Sequence, residues 1–222
     1  MNPFNISNYD LEQWDGVDAG IMKIEFSENL FLRAGQAAGN DPLSFAELKK
    51  EYSQFSIVGY LQKYKDSPLV GISFLSNIGG AGVYSEVSSM QDNDLQKTTY
   101  QNATIGFDYQ FKNTFYVNFE YLYNGSGSNN SMPVLQFWFR PFKNRNYILS
   151  HFTYELTPLV KLDFSSYYNT IDQSDYSLLK FDYNFKENMY LVAAGGFSNS
   201  TKPADEFSAV PNLIYVAIKY FY

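Results

Sequence analysis

His151 is the single histidine among 222 residues, and the chain has no cysteine. Without thiols there are no disulfides, zinc–thiolate sites, iron–sulfur clusters or cysteine nucleophiles. One histidine excludes a multi-histidine metal site within one chain. As a general base, His151 would need a serine or an acid beside it. Ser150 adjoins it, but in an extended segment Ser150 points to the opposite face. Glu155 shares the face of His151 but lies about 13 Å along the strand. His151 therefore reads as a wall residue without catalytic duty. No Gly-rich phosphate loop, paired catalytic carboxylate motif or Ca²⁺ loop is present, and no cofactor is expected. Gly79-Gly80-Ala81-Gly82 reads as a place where a strand bends or ends.

The remaining polar chemistry is charge placed at every second position. From Leu179 to Phe185 the odd positions are Leu, Phe, Tyr and Phe, while Lys180, Asp182 and Asn184 are polar. Successive strand side chains point to opposite faces, so this is a strand with one apolar and one polar face. The pattern recurs. Asp108 opposes Ile105, Phe107 and Tyr109; Glu120 opposes Phe119 and Tyr121. His151 and Glu155 oppose Phe152 and Tyr154, and Lys161 and Asp163 oppose Leu162 and Phe164. Weaker alternation through Ile21–Ser27 and Leu30–Gln36 adds Lys23, Glu25 and Arg33 to the polar phase, and the C-terminal run adds Lys219. Further weak runs span Tyr52–Tyr64, Pro68–Ser76, Met189–Phe197 and Asn212–Tyr222. The expected fold is all-β, an antiparallel up-and-down meander of about 11 to 12 strands, each long enough to cross a bilayer when tilted. A single barrel domain would cover residues 1–222.

Composition narrows the class. Aromatic residues make up 19% of the chain and charged residues 18%, with a net charge of −7. That is too aromatic for a disordered chain and too acidic to grip a phosphate backbone, so no nucleic-acid partner is expected. No run approaches the eighteen or so apolar residues of a membrane helix, and no signal peptide is visible. A soluble β-sandwich or lipocalin-like barrel would also alternate, with its apolar face buried. Two features argue for a transmembrane barrel instead. The apolar phase is rich in Phe and Tyr near strand ends, as an interfacial girdle is. Tight turns at 28–29, 65–67, 112–113, 157–158 and 186–188 alternate with long polar connections at 37–51, 77–96, 124–145, 169–175 and 198–211. Short turns at one end and long loops at the other are the layout of outer-membrane barrels.

Two loop segments carry their own signals. Asp41-Pro42 followed by helix formers through Lys50 reads as a short loop helix, a pore constriction or a lid. Met132–Phe142 alternates like a strand, yet the parity of the meander needs it inside a long loop. The polar phase holds six carboxylates against five cations, so the loops carry the acidity, and Asp92, Asp94, Asp205 and Glu206 are expected to charge the mouth.

At the C-terminus, Ile214, Val216, Ile218, Tyr220 and Tyr222 share one phase, and Tyr222 is the last residue. This resembles the signal by which bacterial outer-membrane proteins are recognised for insertion, with Ile218, Tyr220 and Tyr222 at its end. Ala217 stands where that family often has Gly. Glu120-Tyr121-Leu122-Tyr123-Asn124-Gly125 and Tyr154-Glu155-Leu156-Thr157-Pro158-Leu159 resemble segments of porin-like outer-membrane proteins. The resemblance covers most of residues 100–222 and is generic before that. It implies location in the bacterial outer membrane and contact with its lipids and lipopolysaccharide. It further implies insertion by the barrel-assembly machinery, possible homo-oligomers and passage of small hydrophilic solutes. If Tyr222 ends in the periplasm, parity leaves residues 1–17 outside the cell. The odd strand count then suggests the C-terminal portion of a larger barrel, or a hidden strand within Phe4–Trp14. An outer-membrane enzyme acting on lipid or peptide, with His151 as base, and a structural or adhesive barrel are the other readings.

Overall fold

The computed structural model describes residues 19–37, 43–64, 66–92, 98–127 and 142–220. The two-residue period becomes strand throughout. In chain order these are β1 (Ala19–Ser27), β2 (Leu30–Ala37), β3 (Leu43–Glu51), β4 (Phe55–Tyr64), β5 (Ser67–Ile78), β6 (Ala81–Asp92) and β7 (Thr98–Gln110). They continue as β8 (Tyr116–Asn124), β9 (Asn146–Thr157), β10 (Val160–Asn169), β11 (Asp175–Lys186), β12 (Met189–Asn199) and β13 (Leu213–Tyr220). All thirteen form one sheet in sequence order, each antiparallel to the next. This is the expected up-and-down meander, with one strand more than the upper count. Among the described residues the sheet is not closed. An even number of reversals separates β1 from β13, so they run in the same direction, and antiparallel closure requires an odd number of further strands.

Two strands replace expected loops. Residues 43–51 form β3, not a helix, although Asp41 and Pro42 resemble a helix start. Leu43, Phe45, Glu47 and Lys49 alternate with Ser44, Ala46, Leu48 and Lys50. The segment finds ladders on both sides, from Leu43 opposite Ala37 and Tyr64 to Lys50 opposite Leu30 and Ile57. Continuous pairing on two edges outweighs a helix propensity of a few tenths of a kcal/mol per residue. Likewise, residues 77–92 are not a loop. Gly79 and Gly80 carry φ of +61° and +88°. Such a Gly-Gly pair suits a tight primed hairpin turn, so β5 reverses directly into β6. Small Ser and Gly residues in both phases hid the alternation of β6.

The additional strands invert β4 and β5 relative to the expectation. Turns 28–29, 52–54, 79–80, 111–115, 158–159 and 187–188 now share one end of the sheet. Connections 38–42, 65–66, 93–97, 125–145, 170–174 and 200–212 share the other. The two-residue joint Lys65-Asp66 thus moves to the loop end, and strict alternation of short and long connections does not hold there. Residues 128–141, which hold most of the Met132–Phe142 segment, and the N-terminal stretch with Phe4–Trp14 lie outside the described residues.

Burial separates the two faces. On β7, Ile105 and Phe107 are 57% and 45% exposed, whereas Thr104 between β6 and β8 is 9% exposed. Rings on the polar face lie flat over glycines of the next strand. A Cβ on Gly106 would sit 2.4 Å from the Tyr84 ring, and one on Gly71 would sit 2.3 Å from the Tyr60 ring. The glycines let that face curve inward around its larger side chains.

The hairpin at Gly79 gives a clean test. A Cβ there meets nothing within 4 Å, so only the positive φ resists substitution. Gly79→Val is expected to lower unfolding stability by about 1–3 kcal/mol, read from the urea midpoint; an unchanged midpoint would contradict the hairpin.

Candidate functional site

The register puts every charged residue of the sequence-derived polar phase on one face. Lys23 lies opposite Arg33, and Arg33 opposite Glu47, with Glu25 two positions from Lys23. Across the sheet, Gly106 opposes Glu120 and Asp108 opposes Asn118, which in turn opposes His151. Glu155 opposes Lys161, Lys161 opposes Asp182, and Asp163 opposes Lys180. Lys219 closes the row opposite Tyr190. β3 and β6 contribute Glu47, Glu51, Glu86 and Lys49, which the sequence had assigned to loops. Among the described side chains the face therefore carries nine carboxylates against six cations, more acidic than expected.

The cations lie mostly against acids on their own or the next strand. The distances are 2.6 Å for Lys23–Glu25, 2.8 Å for Arg33–Glu47, 2.6 Å for Lys49–Glu51, 3.3 Å for Lys161–Asp163 and 2.9 Å for Lys180–Asp182. Such exposed pairs each stabilise by about 0–1 kcal/mol, and their main effect is to fix side-chain direction. The sector β6–β8 differs. Tyr84 donates to Glu120 at 3.0 Å, Asn118 donates to Tyr84 at 2.8 Å, and Tyr60 bonds Glu86. Among the described residues, Glu86, Asp108 and Glu120 form no ion pair. They lie on the same face as the ion-paired row.

His151 has neighbours the sequence could not show. Its Nδ1 lies 2.9 Å from Ser165 Oγ, its Nε2 lies 3.1 Å from Thr153 Oγ1, and Thr153 donates to Asp163 at 2.6 Å. Thr153 has one proton and gives it to Asp163, so Nε2 must carry the hydrogen toward Thr153. Nδ1 is then free to accept from Ser165. The serine missing from the sequence reading comes from β10, directly opposite in register. Only a known strand register could have revealed it.

At the loop end the concave face of β8–β12 is covered. Phe142 packs on Tyr147 at 4.4 Å between ring centroids, and Phe207 packs on Tyr176 at 6.4 Å. Leu122, Leu149, Tyr167, Leu178 and Val210 surround this cluster. Phe207 belongs to a short 3-10 turn, Glu206–Ala209. Glu206 ties it down, accepting from Tyr147 Oη, Asn169 Nδ2 at 2.8 Å, Asn144 Nδ2 at 3.4 Å and the Lys143 amide. Its own amide donates to Asp172 at 2.8 Å, and Asn144 bridges to the same Asp172 oxygen at 3.1 Å. Burial holds the Glu206 carboxyl above the usual carboxylate range; the Tyr147 and backbone donors oppose this, and the Asp172 charge adds to it. Asp205 is buried too, capping the amides of Thr201 and Lys202. Two acids expected to charge the mouth are thus inside the loop. Asp94 and the side chain of Asp92 lie outside the described residues.

Ile214, Val216, Ile218 and Tyr220 share the apolar face of β13, all more than 60% exposed. Tyr222 lies outside the described residues. Comparison with family models, curated proteins and solved structures finds no match for this chain.

The Tyr84 hub generates a stability test. Tyr84→Phe removes the donor to Glu120 and leaves Asn118 without its acceptor at that hydroxyl. A loss of about 1.5–3 kcal/mol is expected from a hydrogen bond to a charged group, read from urea unfolding; a neutral effect would mean that water replaces the hydroxyl freely.

Proposed function

We propose that the meander is the wall of a bacterial outer-membrane channel through which small hydrophilic solutes diffuse. One observation carries this reading: the polarity of the sheet is inverted. The convex face exposes a belt of Val70, Ile72, Val87, Ile105, Phe107 and Leu179, each 45% to 57% exposed, while the charged residues share the concave face. Soluble proteins rarely leave contiguous apolar patches beyond a few hundred Å². Hydrocarbon solvates such a belt, and water in a lumen solvates the opposite face. Strand lengths of 8 to 13 residues suit a tilted crossing. Aromatics gather at the turn end, where Tyr109 and Phe111 meet at 4.7 Å and Tyr52 stacks on Phe55 at 4.5 Å. That placement suits a membrane interface. Outer-membrane lipid and lipopolysaccharide would contact the belt, and the C-terminal strand would present its apolar face to the barrel-assembly machinery. No cofactor is needed for diffusion, and a homo-oligomer is compatible with this wall.

An enzymatic reading is favoured by the Ser165–His151–Thr153–Asp163 chain, which points a base at a hydroxyl. The position of Ser165 weighs against it. Ser165 sits mid-strand, paired to β9 and β11 on both sides. The ladder consumes the neighbouring amides, so they cannot converge on an oxyanion as acyl transfer requires. The diffusion channel is the better account.

The channel should prefer cations, because Glu86, Asp108 and Glu120 face the lumen without an ion pair among the described residues. Reversal potentials across a salt gradient in planar bilayers measure this. Cation preference is expected, and Glu86→Gln, Asp108→Asn and Glu120→Gln together should reduce it more than Lys180→Met with Asp182→Asn, which remove a compensated pair. Anion preference, or a folded protein that does not conduct, would refute the mechanism.

A further inference from the structure

We propose that the segment 200–212 is a flap latched by Glu206 onto the concave face, closing part of the lumen under acidic conditions and releasing it as pH rises. The proposal rests on the channel reading, but the latch itself stands on contacts. Two stretches of chain, 143–147 and 169–172, converge on Glu206: the Lys143 amide and the Asn144, Tyr147 and Asn169 side chains donate to its carboxylate, and Asp172 accepts from its amide. The apolar part of the contact is one side chain, Phe207, buried in the cluster of Tyr176, Tyr147 and Phe142 with Val210 beside it. Ser198 on β12 adds a hydroxyl donated to the Phe207 carbonyl. Among these contacts the buried Glu206 carboxylate is the one that can change charge, and it takes four donors, so the strength of docking depends on its charge.

The surroundings of Glu206 fix the sign. Tyr147 and the Lys143 and Asn144 amides face it as donors, and Asp172 faces it as a second carboxylate. The Lys143 side chain is exposed, Arg145 is turned to the Gly127 carbonyl at 2.8 Å, and Asp205 caps its own loop. Among the described residues neither Glu206 nor Asp172 has an ion-pair partner. Ionising Glu206 therefore places a second negative charge in a half-dry site beside Asp172, which costs more than ionising it in water. Docking raises the affinity of the carboxyl for its proton. By linkage the docked state is then at full strength at a pH low enough to protonate the released carboxyl as well. It weakens as pH rises through the raised docked value and levels off above it. A difference of one pKa between docked and released states changes the docking equilibrium about tenfold.

Because the chain has no cysteine, Ser198→Cys makes a single thiol that the flap covers at Phe207. The experiment reads maleimide labelling of this thiol in the membrane-reconstituted full chain, corrected for the thiolate fraction with a free-thiol control, between pH 4 and 8. Single-channel conductance is recorded in parallel. In the otherwise native chain both corrected labelling and conductance should rise with pH, labelling about tenfold for each pKa unit that separates the docked and released carboxyl. Glu206→Gln keeps a neutral acceptor and should hold the flap down, with slow labelling and low conductance at every pH. Glu206→Ala removes the acceptor and should give fast labelling and high conductance at every pH. Labelling that ignores pH, or a Gln variant that titrates like the native chain, overturns the latch. Labelling that follows this pattern in a protein that never conducts would uphold the latch and sink the channel reading instead.

Discussion

A strand can keep its polar side chains on one face only if its register never slips. A shift of one residue would carry the whole set to the other side, since side chains alternate with a period of two. Twelve consecutive ladders keep this phase, with local shifts confined to the turn ends of β1–β2, β9–β10 and β11–β12, and the charged row from Lys23 to Lys219 exists because they do. The ion pairs on that row are individually weak. Their value lies in agreement with the ladder: Arg33 meets Glu47, and Lys161 meets Asp182, only in the observed register. Where β9 meets β10 the register shifts between Val160 and Lys161, and this places Glu155 opposite Lys161.

The same constraint explains what the sequence disclosed. Long strands with a clean contrast between phases, such as β7 to β11, were legible because Phe and Tyr alternate with charged or amide residues. β3 was not, because Lys and Leu occur in both of its phases and Asp41-Pro42 imitates a helix start. β6 was hidden by Ser and Gly, which have no preference for either face. Missing two strands flipped the direction of β4 and β5 but left the later faces correct, because the two errors cancelled in parity. Cross-strand chemistry was out of reach for a different reason. Ser165 meets His151 across fourteen residues of chain, and Glu206 meets Tyr147 across fifty-nine. Single-residue patterns carry no information about such pairings until register and loop path are known.

The apolar residues are arranged unusually for a folded chain. Only a few large side chains are fully buried, and they cluster under the loop end, where Tyr147 and Tyr176 are 0% exposed. Most of the hydrophobic surface points outward. A water-soluble meander would lose the hydrophobic driving force that normally stabilises a core. In hydrocarbon the requirement changes: the backbone must satisfy its own hydrogen bonds, and the apolar face needs no partner. The ladder provides the first and the belt fits the second. The loop-end cluster is then a local core, and the segment 200–212 with Phe207 is part of it.

The central claim is that the two faces of each strand meet different solvents, and a nitroxide scan along β7 tests it directly. With no native cysteine to remove, spin labels can be placed one at a time from Ala103 to Tyr109 in reconstituted protein. Collision with oxygen, which concentrates in lipid, should be highest at Ala103, Ile105, Phe107 and Tyr109. Collision with a water-soluble nickel chelate should be highest at Thr104, Gly106 and Asp108, giving two curves of period two in opposite phase. If the chelate reached both phases equally, the convex face would be in water, and the account of a membrane-spanning wall would be wrong.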